Sequence, residues 1–241
     1  MTGIRLNETA TLVARDRLST DEREEMFTLL SEHFDGVTRE QFERDLEEKN
    51  WVIQIRREHR LSGFSTLLVR LVEVDGEIVT AIYSGDTIVA QDSWNSPALA
   101  RAWIAAVNYL RAAAPQHRCY WLLLSSGFRT YRLLTVFWRE FYPRHDAPTP
   151  EHHQRLLTFL AHTQYHACYD AASNIVRFPI PQRLRESLSI ISEGRRLDPH
   201  IAFFLEKNPG HENGDELVCI TEISEANLTK AGRRMVANSV Q

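Results

Sequence analysis

The sequence predicts an α/β (α+β) protein: a mixed, largely antiparallel central sheet flanked by helices, with a C-terminal helical extension. Three observations point that way. Two β-branched runs, residues 61–74 and 77–89, are separated only by Asp75-Gly76, a strong hairpin signal. A long amphipathic helix pattern then leads into a short buried-type strand, Cys119 to Leu124. The 241 residues are 43% hydrophobic and 25% charged, which suits one large domain, or one domain with an appended lobe, and little disorder.

The elements follow in order. Residues 11–18 read as a first strand. Ser19-Thr20-Asp21 offers capping side chains for a helix over 21–33, with Met26, Phe27, Leu29, Leu30 and Phe34 as its apolar positions, and Gly36 ends it. Thr38 with Gln41 three residues on reads as the capping box of a second helix, which carries Phe42 and Leu46 on one side. Residues 51–55, 61–74 and 77–89 read as three strands. Pro97 sits in the first turn of a helix over 98–113, and Leu99, Trp103, Ala106, Val107 and Leu110 form its stripe. Residues 117–124 form the next strand, Ser125-Ser126-Gly127 a turn, and 130–141 a helix. The two prolines in 146–150 mark an internal boundary, giving a core over 1–146 and an extension over 147–241 that packs on it and completes the sheet. In the extension, 151–169 is helical, 183–192 is a short helix and 216–223 is a last strand. The tail from Asn227 is expected to fray.

Composition excludes several classes. A formal net charge of −4 leaves no basic face for nucleic acid and argues against an anionic membrane surface. No apolar run approaches the roughly 20 residues that a membrane helix needs, and Met1 to Asn7 has no signal-peptide pattern. The three cysteines, Cys119, Cys168 and Cys219, are far apart, so no disulfide framework or thiolate zinc site is expected. His162 and His166 share a helix face, but Thr163, Gln164 and Tyr165 between them supply no carboxylate, and no metal is expected. A reducing cytoplasm is the expected compartment.

The polar break Tyr83-Ser84-Gly85-Asp86 inside an apolar strand reads as a bulge or a close backbone approach. Ser125 and Ser126 end a buried strand, where α/β sites commonly sit; they equally well cap the next helix.

The order strand, two helices, three antiparallel strands, helix, strand, helix resembles the GNAT N-acetyltransferase superfamily over about residues 11–142, with 216–223 as a closing strand. The resemblance extends to 77–89 followed by 96–113, and to 122–141. It implies a donor site in a gap between two parallel strands, bounded by Ile88 and Val89, with a pyrophosphate on the amides that begin the following helix. The family's loop there reads Gln or Arg, two residues, Gly, one residue, then Gly or Ala. Here it is Gln91-Asp92-Ser93-Trp94-Asn95-Ser96, with Trp94 and Ser96 in the glycine positions and a carboxylate beside the expected phosphate. The implied donor is an acyl-CoA or acyl-carrier-protein thioester. The implied partners are a small-molecule amine acceptor and, for the second donor, a carrier protein, on a monomer or homodimer.

Acyl transfer needs a base, an oxyanion donor and an acid for the thiolate. The resemblance places substrate bases on the strand 77–89, so Asp86 is the candidate base, with Ser84 beside it and Tyr83 and Phe34 toward the acceptor. Tyr131 is the candidate acid. Ser125 and Ser126 are candidate partners for a pantetheine amide. The alternative is a GNAT-like binding or structural protein without catalysis; a hydrolase or lyase in the same cleft is a third reading, although the Gly-x-Ser-x-Gly elbow is absent.

Overall fold

The computed structural model describes residues 8–94, 96–186, 191 and 193–237. Strand β1 (Glu8–Ala14) pairs antiparallel with β3 (Trp51–Arg57). Between them lie a 3-10 turn at Arg15–Arg17, helix α1 (Thr20–His33), a two-residue strand β2 (Phe34–Asp35) and helix α2 (Arg39–Glu47). Helix α1 starts on a reciprocal cap: the Ser19 hydroxyl accepts from the Glu22 N–H, and the Glu22 carboxylate accepts from the Ser19 N–H. The Thr38 hydroxyl caps α2 by accepting from the Gln41 N–H. Strands β4 (Arg60–Val74) and β5 (Glu77–Val89) form the expected hairpin, with Asp75 and Gly76 both at positive φ. Helix α3 (Ala98–Ala112), β6 (Arg118–Ser125) and α4 (Phe128–Phe137) follow. The remainder supplies α5 (Glu151–Tyr165), short strands β7 (Tyr169–Asp170), β8 (Ile175–Val176) and β9 (Arg183–Leu184), a short helix α6 (Glu193–Arg196), α7 (Pro199–Lys207), β10 (Glu216–Glu222) and α8 (Lys230–Ala237).

One sheet of eight strands runs β1-β3-β4-β5-β6-β10-β8-β7. Every pairing in it is antiparallel except β5 with β6. The sheet is mixed and largely antiparallel with helices on both faces, the expected GNAT-like arrangement of elements. Alternation along the strands divides the core. Ile53, Ile82, Trp121, Leu123 and Cys219 face α3, α4 and α7, whereas Tyr83, Tyr120, Leu122 and Val218 face α5, and Val52, Phe64 and Ile88 face α1 and α2.

Four sequence expectations need correction. The first strand ends at Ala14, because residues 15–17 turn as a 3-10 helix. Helix α4 ends at Phe137; Trp138 is extended and bridges to Leu228, and the Arg139 N–H donates to the Asn227 carbonyl. Arg183–Leu184, expected in a helix, pairs as a strand with Phe34–Asp35; residues 187–190 and 192 lie outside the described residues. The tail does not fray at Asn227. That side chain is buried, donates to the carbonyls of Glu140 and Glu222 and accepts from the Glu140 N–H, and α8 packs beyond it on α3 and α4.

Candidate functional site

Strands β5 and β6 run parallel from the rung Val79–Arg118 to the rung Ser84–Leu123, and then part. β5 continues to Val89 paired only with β4, while the end of β6 pairs with β10, Leu217 opposite Ser125. The sheet therefore opens between residues 85–89 on one side and 124–125 on the other.

A bulge marks where the opening begins. Leu67 of β4 pairs with Ser84 and Ser65 with Thr87, so Gly85 and Asp86 together oppose Thr66. Gly85 is required there: a Cβ would stand 2.4 Å from Thr66 Oγ1 and 2.7 Å from Lys49 Cε. The bulge aims Asp86 at the end of α2, where Lys49 and Asp45 bear on its charge. Burial pushes the Asp86 carboxyl up to about 6, against the pull of Lys49 and with some help from Asp45.

Glu216 opens β10 on the same face. Burial first, and then the negative charge of Asp86, push its carboxyl up to about 8. The charge of Asp86 thus bears on the Glu216 carboxyl across the opening of the sheet. Tyr165, at the end of α5, lies within the field of Glu216, Tyr83 and Glu48, and burial holds its phenol well above the ordinary range. Its ring meets Phe178 edge-on, with centroids 6.1 Å apart. Asp86, Glu216, Lys49, Tyr83 and Tyr165 thus gather beside the opening, on the α2 and α5 face, with the carboxylates of Asp45 and Glu48 close enough to bear on them. Asp86 and Tyr83 are sequence candidates. Glu216, Tyr165 and Lys49 were not; the one local signal for Glu216 is a carboxylate heading an apolar strand.

The other candidates are placed differently. The Ser84 hydroxyl accepts from the Trp121 indole N–H at 3.0 Å, on the opposite face from the carboxylates. Tyr131 is fully buried; its hydroxyl donates to the Pro143 carbonyl, and its ring packs among Phe141, Phe203 and Phe204. It does not reach the opening, since α4 turns it into the core. Phe34 stands in the ribbon with Leu184 and packs with the α1 and α2 cluster. Ile88 points into that same cluster, which leaves Val89 at the lip of the opening. Ser125 is buried and donates to the Gly127 carbonyl, while Ser126 is half-buried beside it.

The loop after β5 satisfies itself. Gln91–Ser93 form a 3-10 turn. The N–H groups of Ser93, Trp94 and Ser96 donate to the carbonyls of Ala90, Gln91 and Ser93. The Ser96 hydroxyl accepts from the Ala98 N–H and donates to Glu8 at 2.6 Å. Asn95 lies outside the described residues. The Trp94 indole donates to the Val89 carbonyl at 2.8 Å, and the Arg129 guanidinium stacks 4.6 Å from the centre of its ring. Ser93 is buried and donates to Asp92. These donors are engaged within the chain, so the loop as folded does not present them to a phosphate. Gln91 and Asp92 remain exposed.

A separate concavity lies between the β4–β5 hairpin and α5, lined by Val74, Asp75, Tyr120, His152 and Arg155. It holds none of the candidates. Among the described residues no group of three His, Cys, Asp or Glu side chains is placed to hold a metal, and no helix is long and apolar enough to cross a membrane.

No protein-family model matches the chain, and no curated protein matches it. Solved structures do. One is an Enterococcus faecalis V583 protein of unknown function, "Probable N-Acyltransferase", at 14% identity and a TM-score of 0.43 over 56% of this chain and 33% of that one. This chain therefore spans about a third of the length of that protein. Another is the GNAT family N-acetyltransferase YhbS from Escherichia coli in complex with CoA, at 11% identity and a TM-score of 0.42, over 57% of this chain and 72% of that one. A third is the aminoglycoside N-acetyltransferase AAC(6')-Iy in complex with CoA, at 12% identity and a TM-score of 0.41, over 56% of this chain and 88% of that one.

Proposed function

We propose that this protein is an N-acyltransferase that moves an acyl group from a coenzyme A thioester to a cationic amine. The observation that carries the reading is the carboxylate pair Asp86 and Glu216 beside the opening between β5 and β6. Two carboxyl groups whose proton affinities are pushed apart supply a base and an acid at one pH. With one proton between them, the pair is anionic and attracts an ammonium. Asp86, the more acidic partner, takes a proton from the acceptor. The freed nitrogen attacks the thioester carbonyl, the C–N bond forms and the C–S bond breaks. Glu216, which keeps its proton to about pH 8, supplies the proton that the departing thiolate takes up. The nitrogen sheds its second proton to the Glu216 carboxylate as the amide forms, Asp86 releases its proton to solvent, and the products are an amide and a free thiol. Residues 147–241 serve in this reading as an extension that supplies Glu216 and Tyr165 to the acceptor side.

The closed loop after β5 favours a second reading, an amine-binding protein that has kept the architecture without a donor. One experiment separates them. The protein is incubated with acetyl-CoA, or an acyl-carrier thioester, and a panel of primary amines and diamines, and thiol release is followed with a chromogenic thiol reagent. Amine-dependent release that is lost in Asp86→Asn supports acyl transfer. Amine binding by calorimetry, with no thiol release from any donor, supports the second reading.

A further inference from the structure

We propose that Trp94 controls donor access: its indole holds the strand edge that an amide-bearing thioester arm needs, and the donor binds by displacing it. This rests on the acyl-transfer reading above.

Along a strand, successive residues turn their N–H and C=O groups to opposite sides. The Ala90 N–H donates to the Ser62 carbonyl, toward β4. Ile88 pairs with Phe64 on that same side. Val89 therefore turns its backbone groups away from β4, into the opening where β6 has parted from β5. An unpaired edge of this kind accepts an extended chain with amide groups as an added strand. The pantetheine arm of a coenzyme A thioester is such a chain. The Val89 carbonyl is already taken: the Trp94 indole N–H donates to it at 2.8 Å.

The ring also bridges the two lips of the opening. Trp94 follows β5, and Arg129, whose guanidinium lies 4.6 Å from the ring centre, belongs to the helix that follows β6. Trp94 is 40% exposed and stands outside the three core clusters, so its displacement uncovers no core. The loop offers an incoming phosphate little in exchange. Its N–H groups at Ser93, Trp94 and Ser96 are engaged, and the carboxylates of Asp92 and Glu8 stand close by. Affinity for the donor is then set largely by competition between the indole and the arm for the β5 edge. A competitor that occupies the site in most molecules lowers the apparent affinity in proportion to its occupancy.

The test is calorimetric titration of coenzyme A into the wild-type chain, Trp94→Ala and Trp94→Phe, each checked for an intact thermal transition. The expected result is binding about 10-fold tighter in Trp94→Ala, the scale of losing one hydrogen bond and one stacked cation. Trp94→Phe, which keeps a ring but loses the N–H, should fall between the two. If Trp94→Ala does not fold, Trp94→Phe decides alone by whether it binds tighter than wild type. Equal or weaker binding by the variants, with measurable binding by wild type, overturns the inference and leaves the acyl-transfer reading standing. No binding by any of the three proteins overturns both.

Discussion

The Trp121 indole N–H, from the rung that pairs it with Ile82, donates at 3.0 Å to the hydroxyl of Ser84, which stands in the last rung before β5 and β6 part. Both residues are buried, so neither group has water to fall back on. The bond ties the parallel pair together at the point where the sheet opens. Ser84 is therefore a structural residue, and its hydroxyl lies on the α3 face rather than with the carboxylates. Ser84→Ala leaves a buried indole N–H without its acceptor, which costs about 1–3 kcal/mol. Urea denaturation should show that loss, and the folded variant should retain turnover. Turnover lost at unchanged stability would return Ser84 to the reacting groups.

Gly85 carries the bulge beside it. Gly85→Ala forces a Cβ to within 2.4 Å of the Thr66 hydroxyl, and Thr66 is itself buried. Relief requires the bulge to shift, or the buried Thr66 side chain to turn and the Lys49 side chain to move as well. We expect a destabilisation of about 1–3 kcal/mol, read by thermal denaturation, together with weaker acceptor binding, because Asp86 follows the bulge. A variant that matches wild type in both would show that the close approach is not needed.

Much of this architecture is legible in the sequence, for reasons particular to each signal. Asp75-Gly76 announces the β4–β5 hairpin through residues that tolerate positive φ. Ser84-Gly85-Asp86 announces the bulge, because a polar break in an apolar strand has few other uses. The opening beyond Ser84 is not visible in local pattern, since it depends on where β6 stops pairing. Glu216 is hidden for the same reason. It lies 130 residues beyond Asp86 in the numbering, and only the insertion of β10 beside β6 brings the two together. Tyr131 misleads because position along a helix does not disclose which way the helix rolls. Asn227 misleads because a polar residue near a polar tail looks solvated until the Glu140 backbone is placed against it.

The raised carboxyl of Glu216 gives stability a pH dependence of definite sign. Its folded value, about 8, lies above the ordinary 4.5, so the native state binds more protons than the unfolded chain between those limits. Stability is then greatest at low pH in this window and falls as pH rises through about 8. Asp86 adds the same sign between 3.8 and about 6. Glu216→Gln keeps the shape without the charge. It should raise stability above pH 8 by on the order of 1 kcal/mol, after allowance for partial access of water, and change it little at pH 5. Melting temperatures of both proteins across pH 5 to 9 would show this as two diverging curves; parallel curves would mean that Glu216 ionises freely.

The same pair shapes the rate. A base at Asp86 requires its carboxylate, so kcat/KM should rise with pH through about 6. An acid at Glu216 requires its proton, so kcat/KM should fall again through about 8. The profile is a bell set by the coupled pair, and each variant should remove one limb of it. Asp86→Asn should lower kcat/KM by about 10²–10⁴ at neutral pH and abolish the acidic limb. Glu216→Gln should lower it less, since water can protonate a thiolate, and should abolish the alkaline limb. Retention of both limbs in Asp86→Asn would assign the base elsewhere. A loss of the acidic limb with most of the fall carried by KM and little by kcat would mean that Asp86 binds the ammonium without taking its proton.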